Sequence, residues 1–152
     1  FLNGDEGNDF LTAFGNGNVL SGGSGSDVFV FEKFGTVGSD NVVTDFQHNG
    51  ASSPLGESED VLNFGSSTGR FALGVFTGVD IPDGEVPLDW LVTNGYLIVD
   101  STANVGGEAA NDTVVRVDFD GSAGTGAEPF TVVTLMDVTL GTTGLDADNW
   151  LL

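Results

Sequence analysis

Cysteine is absent from this 152-residue chain, and only Lys33, Arg70 and Arg116 carry a permanent positive charge. The lack of cysteine excludes a disulfide framework, a thiolate metal site and a cysteine nucleophile. The shortage of cations argues against nucleic acid or an anionic membrane surface as a direct partner, since both are held by basic stripes. No apolar run approaches the length of a membrane span. No stretch has the period of a long amphipathic helix. No N-terminal signal peptide or initiating Met is present. The single His48 lies in a polar segment without zinc-type partners. No Gly-x-Ser-x-Gly elbow stands between a strand and a helix, so enzyme chemistry within this chain is not expected.

Acid and glycine fill the gap. The 23 acidic residues give a formal net charge of −20, and there are 24 glycines and twelve phenylalanines. Without counter-ions such a chain repels itself. Its length suits one domain, or one domain with a small appendage. The abundance of Gly, Ser, Thr, Asn and Asp favours β-structure with many turns.

The opening residues are ordered in blocks of nine: Gly4 to Thr12, Ala13 to Ser21 and Gly22 to Val30. Leu2, Leu11, Leu20 and Phe29 recur at that interval, as do Asp9, Asn18 and Asp27. The third block matches G-G-x-G-x-D-x-U-x at every specified position, a pattern associated with parallel β-structure that binds calcium. Each block divides into a turn, where glycine relieves the backbone, and a short strand such as Val28-Phe29-Val30. One block makes half a coil, so residues two blocks apart fall on the same edge. Asp9 and Asp27 therefore share an edge, where two bare carboxylates would repel. A hard cation held by both, with turn oxygens completing its shell, removes the repulsion. The candidate ligands are Gly4, Glu6, Asn8 and Asp9 from the first turn and Gly22, Ser24, Ser26 and Asp27 from the third. Asn18 is the candidate on the opposite edge; having no charge, it implies a weaker site. Acids are numerous enough to supply a glycosidase pair, but calcium explains those near the repeats more simply.

Beyond Glu32 the rhythm stops. Residues 40–46 and 59–64 alternate polar and apolar and read as two further strands, with Asp40, Asp45 and Asp60 as additional ligand candidates. Phe71 to Phe76 reads as buried, Ile81 to Gly84 as a turn, and Asp89 to Val92 as strand or short helix. Tyr96–Asp100, Thr113–Phe119 and Phe130–Leu140 are strand candidates. Asp118-Phe119-Asp120-Gly121 suits a turn better than a calcium loop.

Together the blocks, Ser39 to Phe46, Glu59 to Phe64, Asp112 to Asp118 with Val132 to Leu135, and the terminal Asp148-Asn149-Trp150-Leu151-Leu152 resemble the repeat-in-toxin C-terminal domains of type I secretion substrates, including the serralysin-like proteases. The first two blocks depart from the pattern, lacking the double glycine, and the second has Asn18 for Asp. The resemblance implies an all-β fold: a parallel β-roll of nonapeptide repeats over 1–64, running into a β-roll or β-sandwich cap over 65–152. It implies calcium as the only cofactor, about two or three ions in all. It also implies passage of the unfolded chain through a type I secretion apparatus, with the C-terminus as uncleaved export signal. Folding would then occur outside the cell, where calcium is abundant. Leu2 already holds the inward position of a block, so a longer protein is expected, with more repeats and an effector domain N-terminal to this chain. Two other functions use the same repeats: the calcium-dependent tail of an adhesive or S-layer surface protein, with self-association, and a polysaccharide-binding module of a secreted epimerase. Membrane insertion is not expected.

Overall fold

The computed structural model describes residues 1–32, 41–48, 59–63, 87–103, 112–122, 124, 126, 128–138 and 150–151. Among them are ten strands and one helix: β1 Leu2–Asn3, β2 Phe10–Phe14, β3 Val19–Ser21, β4 Val28–Glu32, β5 Asn41–Val43, β6 Val61–Asn63, α1 Pro87–Thr93, β7 Leu97–Ala103, β8 Asp112–Val117, β9 Phe130–Leu135 and β10 Trp150–Leu151. The chain is all-β, with almost no helix.

Apolar residues every ninth position force the chain to alternate between two layers. Strands β1, β3 and β5 enter a six-stranded sheet of order β1-β3-β5-β9-β8-β7, while β2, β4 and β6 enter a four-stranded sheet of order β10-β6-β4-β2. Within each layer these strands run parallel. Leu2 pairs with Leu20, and Leu11 with Phe29, so each partner lies two blocks along. The same ladder continues past the repeats: Phe29 pairs with Leu62, and Leu20 with Val43. Alternation along β2 is strict, with Leu11 and Ala13 buried and Phe10 and Phe14 exposed.

The later strands join these layers instead of building a sheet of their own. β9 runs parallel to β5, pairing Val133 with Asn41, and β10 runs parallel to β6, pairing Trp150 with Leu62. β8 and β7 then extend the larger sheet antiparallel. One apolar cluster fills the interior, uniting Leu11, Leu20, Phe29, Val43 and Leu62 with Leu91, Leu97, Val115 and Val133. Residues on both sides of position 64 thus share one core.

Asp89 to Val92 lies in helix α1, with Asp89 in the favourable first turn. The chain leaves the helix after Thr93 through Gly95, whose φ of 75° suits the left-handed closing position, and the Asn94 side chain donates to Trp90 O at 2.8 Å. The expected strand from Phe130 stops at Leu135, because Asp137 takes a φ of 57° and donates its N–H to Asp112 Oδ1 at 3.0 Å. The strand expected over Thr113–Phe119 stops at Val117, where the chain turns through Gly121 at a φ of 65°. Asp40, Phe71 to Phe76, Ile81 to Gly84 and residues 139–149 lie outside the described residues.

Candidate metal centre

The turns Gly4–Asp9 and Gly22–Asp27 lie directly against each other. Gly7 N donates to Ser24 O at 2.8 Å, and Ser24 N donates to Asp5 O at 2.9 Å, which fixes Glu6 beside Ser24. The Asn8 side chain accepts the Ser26 N–H at 3.1 Å. Glycine is required where the turns meet. A Cβ on Gly23, whose φ is 95°, would collide with the Asp5 carbonyl, and one on Gly25 would collide with the Gly7 carbonyl.

Carboxylates run along this edge as a ladder. Asp9 N donates to Asp27 Oδ1 at 2.9 Å, and Asp27 N donates to Asp60 Oδ1 at 2.9 Å. Each aspartate thereby caps the main chain of the preceding coil. The Oδ2 oxygens of the two repeat aspartates have no such role. Oδ2 of Asp9 and Oδ2 of Asp27 are both buried without a hydrogen-bond partner, although Asp27 is fully enclosed. A buried carboxylate oxygen left without a donor is costly. Both oxygens point at the first glycine of their own turn. A Cβ on Gly4 would lie 2.7 Å from Asp9 Oδ2 and 2.6 Å from Gly22 O, and a Cβ on Gly22 would run into the Asp27 carboxylate.

Asp45 and Asp60 are placed as acceptors of main-chain N–H groups. Asp45 receives Gly22 N and Gly23 N, each at 2.9 Å, and the Ser21 hydroxyl at 2.7 Å. Asp60 receives Asp27 N through one oxygen and Gln47 N, at 2.7 Å, through the other. Burial raises the Asp60 carboxyl from its ordinary 3.8 to about 6; the two N–H donors oppose this, while the charges of Asp27 and Asp45 add to it. Both residues hold the third turn in shape with their oxygens.

No family model, curated protein or solved structure matches this chain. The chemistry of the edge must therefore be read from its own donors. Among the described residues no three His, Cys, Asp or Glu side chains gather as a metal cluster. A cation here would rely on few carboxylates and several main-chain oxygens, a mixture that calcium accepts and zinc does not. The orphaned Oδ2 atoms, the Gly22 carbonyl beside one of them and the space kept open by Gly4 and Gly22 fit such an ion.

The opposite edge carries amides. Asn18 donates its N–H and its side-chain NH₂ to Asn41 Oδ1, at 2.9 and 3.0 Å, and Asn41 donates to Gly15 O at 3.1 Å. This neutral ladder repeats the carboxylate ladder without charge. Asn41 and Gln47 are the functional neighbours that sequence reasoning missed; Gln47 donates its side chain to Gly23 O at 2.7 Å. Asn41 had a signal, since it follows Asn18 as the next amide on that edge. Gln47 had none. Asp118 and Asp120 form the expected turn: Asp120 N donates to Asp118 Oδ1 at 3.1 Å. Burial and a hydrogen bond from Asp120 raise the Asp118 carboxyl above its ordinary value.

Proposed function

We propose that this chain is a calcium-responsive folding module of the repeat-in-toxin type, a parallel β-roll whose acid-bearing turns close on calcium. The supporting observation is the pair of buried, partnerless Oδ2 atoms of Asp9 and Asp27, one in each of two stacked glycine turns. Alternation of consecutive strands between two parallel layers accords with the roll. Gly4, Asp9, Gly22 and Asp27 would hold the ion, with Glu6, Asn8, Ser24 and Ser26 shaping the turns around it. Bound calcium supplies positive charge that satisfies these oxygens. The chain's own residues do the rest: Asp45 and Asp60 pin the third turn, and glycine keeps the space open.

In this reading the chain is only marginally stable where calcium is scarce, because its net charge of −20 opposes compaction. It folds where calcium is plentiful, outside the cell, as the C-terminal export module of a larger secreted protein. Binding only to the folded form stabilises it by about 2.7 kcal/mol when free calcium reaches roughly a hundred times its dissociation constant. Far-UV circular dichroism during calcium titration, with magnesium as control, tests the reading. A rise in β-signal with calcium alone supports it. A β-signal indifferent to calcium and to chelator overturns it.

A further inference from the structure

We infer that the amide edge of the roll is a metal-free clasp, in which the side-chain nitrogen of Asn18 takes the place that a cation would hold. Asn18 and Asn41 lie side by side, one residue before the Val19–Val42 pair, as Asp9 and Asp27 lie one residue before the Phe10–Val28 pair. The main-chain contact is the same on both edges: Asn18 N donates to Asn41 Oδ1 at 2.9 Å, as Asp9 N donates to Asp27 Oδ1 at 2.9 Å. The edges part at the second atom of each side chain. On the carboxylate edge that atom is oxygen, and Oδ2 of Asp9 and of Asp27 has no hydrogen-bond partner. On the amide edge it is nitrogen, and it donates. Calcium would then act on the carboxylate edge and not between Asn18 and Asn41, a conclusion that rests on the calcium reading only for the contrast between edges.

The hydrogen bonds fix which atom is which. Asn41 Oδ1 accepts a main-chain N–H, so it is the oxygen, and Asn41 Nδ2 donates to Gly15 O at 3.1 Å. The Asn18 atom 3.0 Å from Asn41 Oδ1 must then be a donor, its Nδ2. That nitrogen also faces Phe14 O and Gly15 O, each at 3.4 Å. Three oxygens thus gather round a single NH₂ group. Oxygens are the ligands calcium takes, but these are already engaged. Asn41 Oδ1 receives the main-chain and side-chain N–H groups of Asn18, and Gly15 O receives an N–H from each asparagine. Each such oxygen has two lone pairs, and here both face donors. Asn41 is only 1% exposed, so a cation entering here would orphan N–H groups that water cannot reach, a costly exchange.

Charge points the same way. The segment Ala13 to Asn18 contains no acidic residue, whereas Gly4 to Asp9 contains Asp5, Glu6 and Asp9. A divalent ion in the amide turn would meet no compensating carboxylate from that turn. The clasp also leads into the β3–β5 ladder: Val42 N donates to Asn18 O at 2.8 Å, and Thr44 N donates to Leu20 O at 3.0 Å. The two edges therefore divide the work. The amide edge closes on its own donors with or without calcium, and the carboxylate edge closes when the ion arrives. In place of the weaker site expected at Asn18 stands a hydrogen-bonded contact.

The test counts the calcium bound by the whole 152-residue chain in equilibrium dialysis, with thermal midpoints read by circular dichroism in calcium and in chelator. Asn18→Asp exchanges the NH₂ group for an oxygen that faces Asn41 Oδ1, Phe14 O and Gly15 O. This variant should bind an additional calcium ion, and its midpoint should fall in chelator and recover in calcium. Asn18→Ala removes the donor without adding charge. It should bind the native number of ions, with the same loss of midpoint in both conditions. Loss of an ion in Asn18→Ala overturns the proposal, because Asn18 would then be a ligand. So does an Asn18→Asp chain that binds only the native number, or one that stays unfolded in calcium. The calcium reading fails separately: a native chain that binds no ion sinks it, and an Asn18→Asp chain that then binds calcium still upholds the clasp.

Discussion

Asp27 carries two tasks on its two oxygens, and a single substitution separates them. Oδ1 caps the Asp9 N–H, while Oδ2 is buried without a partner. Asp27→Asn keeps an acceptor for the N–H and removes the buried charge. In the metal-free chain it should leave stability unchanged or raised, while the calcium midpoint in the circular dichroism titration rises. Asp27→Ala also strips the cap from Asp9 and should cost roughly 1–3 kcal/mol in urea unfolding, with or without metal. Asp60 supplies the pH dependence. Its folded carboxyl titrates near 6 against 3.8 ordinarily, so the folded form binds the proton more tightly than the unfolded one. Its contribution to stability is therefore fully present below about pH 4 and is lost as pH rises through 6, amounting to about 3 kcal/mol. Metal-free thermal midpoints should fall across that window, and Asp60→Asn should make the fall shallower. A midpoint that rises between pH 4 and 6 would contradict this sign.

At the scale of elements, the parallel ladders stand on large residues stacked in register. Phe29 is fully buried between Leu11 and Leu62 and packs a tilted ring on Phe46 at 6.0 Å. Phe29→Ala should cost about 3–5 kcal/mol, the usual penalty for removing an enclosed ring, measured by denaturant midpoint at constant m-value. The contrast lies on the larger sheet, where Arg116 and Asp100 pair at 3.5 Å with about a third of each side chain exposed. Arg116→Ala should cost under about 1 kcal/mol in the same assay, because solvent screens such a pair. These elements were legible in sequence to different degrees. The nine-residue spacing of Leu2, Leu11, Leu20 and Phe29 announced four strands, since burial demands an apolar residue at each inward position. The ends of β8 and β9 were not legible, because Phe119 continues the apolar pattern past Val117, where β8 ends, and Val138 continues it past the turn at Asp137.

For the whole molecule, the net charge of −20 is the largest single fact. Self-repulsion is screened by salt, with a Debye length of about 10 Å at 0.1 M. The thermal midpoint of the metal-free chain should therefore rise as sodium chloride is added. With calcium bound, the rise should be smaller, since part of the charge is already balanced. Differential scanning calorimetry across a salt series checks both slopes; a midpoint that falls with salt in the metal-free chain would count against charge as the opposing force. One interior serves both halves of the chain, so unfolding in that experiment should proceed as a single transition.

Sequence alone determined the repeat, its turn chemistry and the all-β class, because each depends on local spacing: glycine where the backbone must bend, an apolar residue where it must be buried. It also placed Asp9 and Asp27 on one edge by counting two blocks. Tertiary structure alone decided which oxygens are used. Asp45 and Asp60, ligand candidates in the sequence, accept N–H groups from Gly22, Gly23, Asp27 and Gln47, partners that no residue count names. It also decided that β9 and β10 complete the layers begun by the repeats, pairing with β5 and β6. Both outcomes arise from contacts between distant segments, where satisfying a buried donor or covering a sheet edge depends on which strand arrives alongside, and no local pattern encodes that.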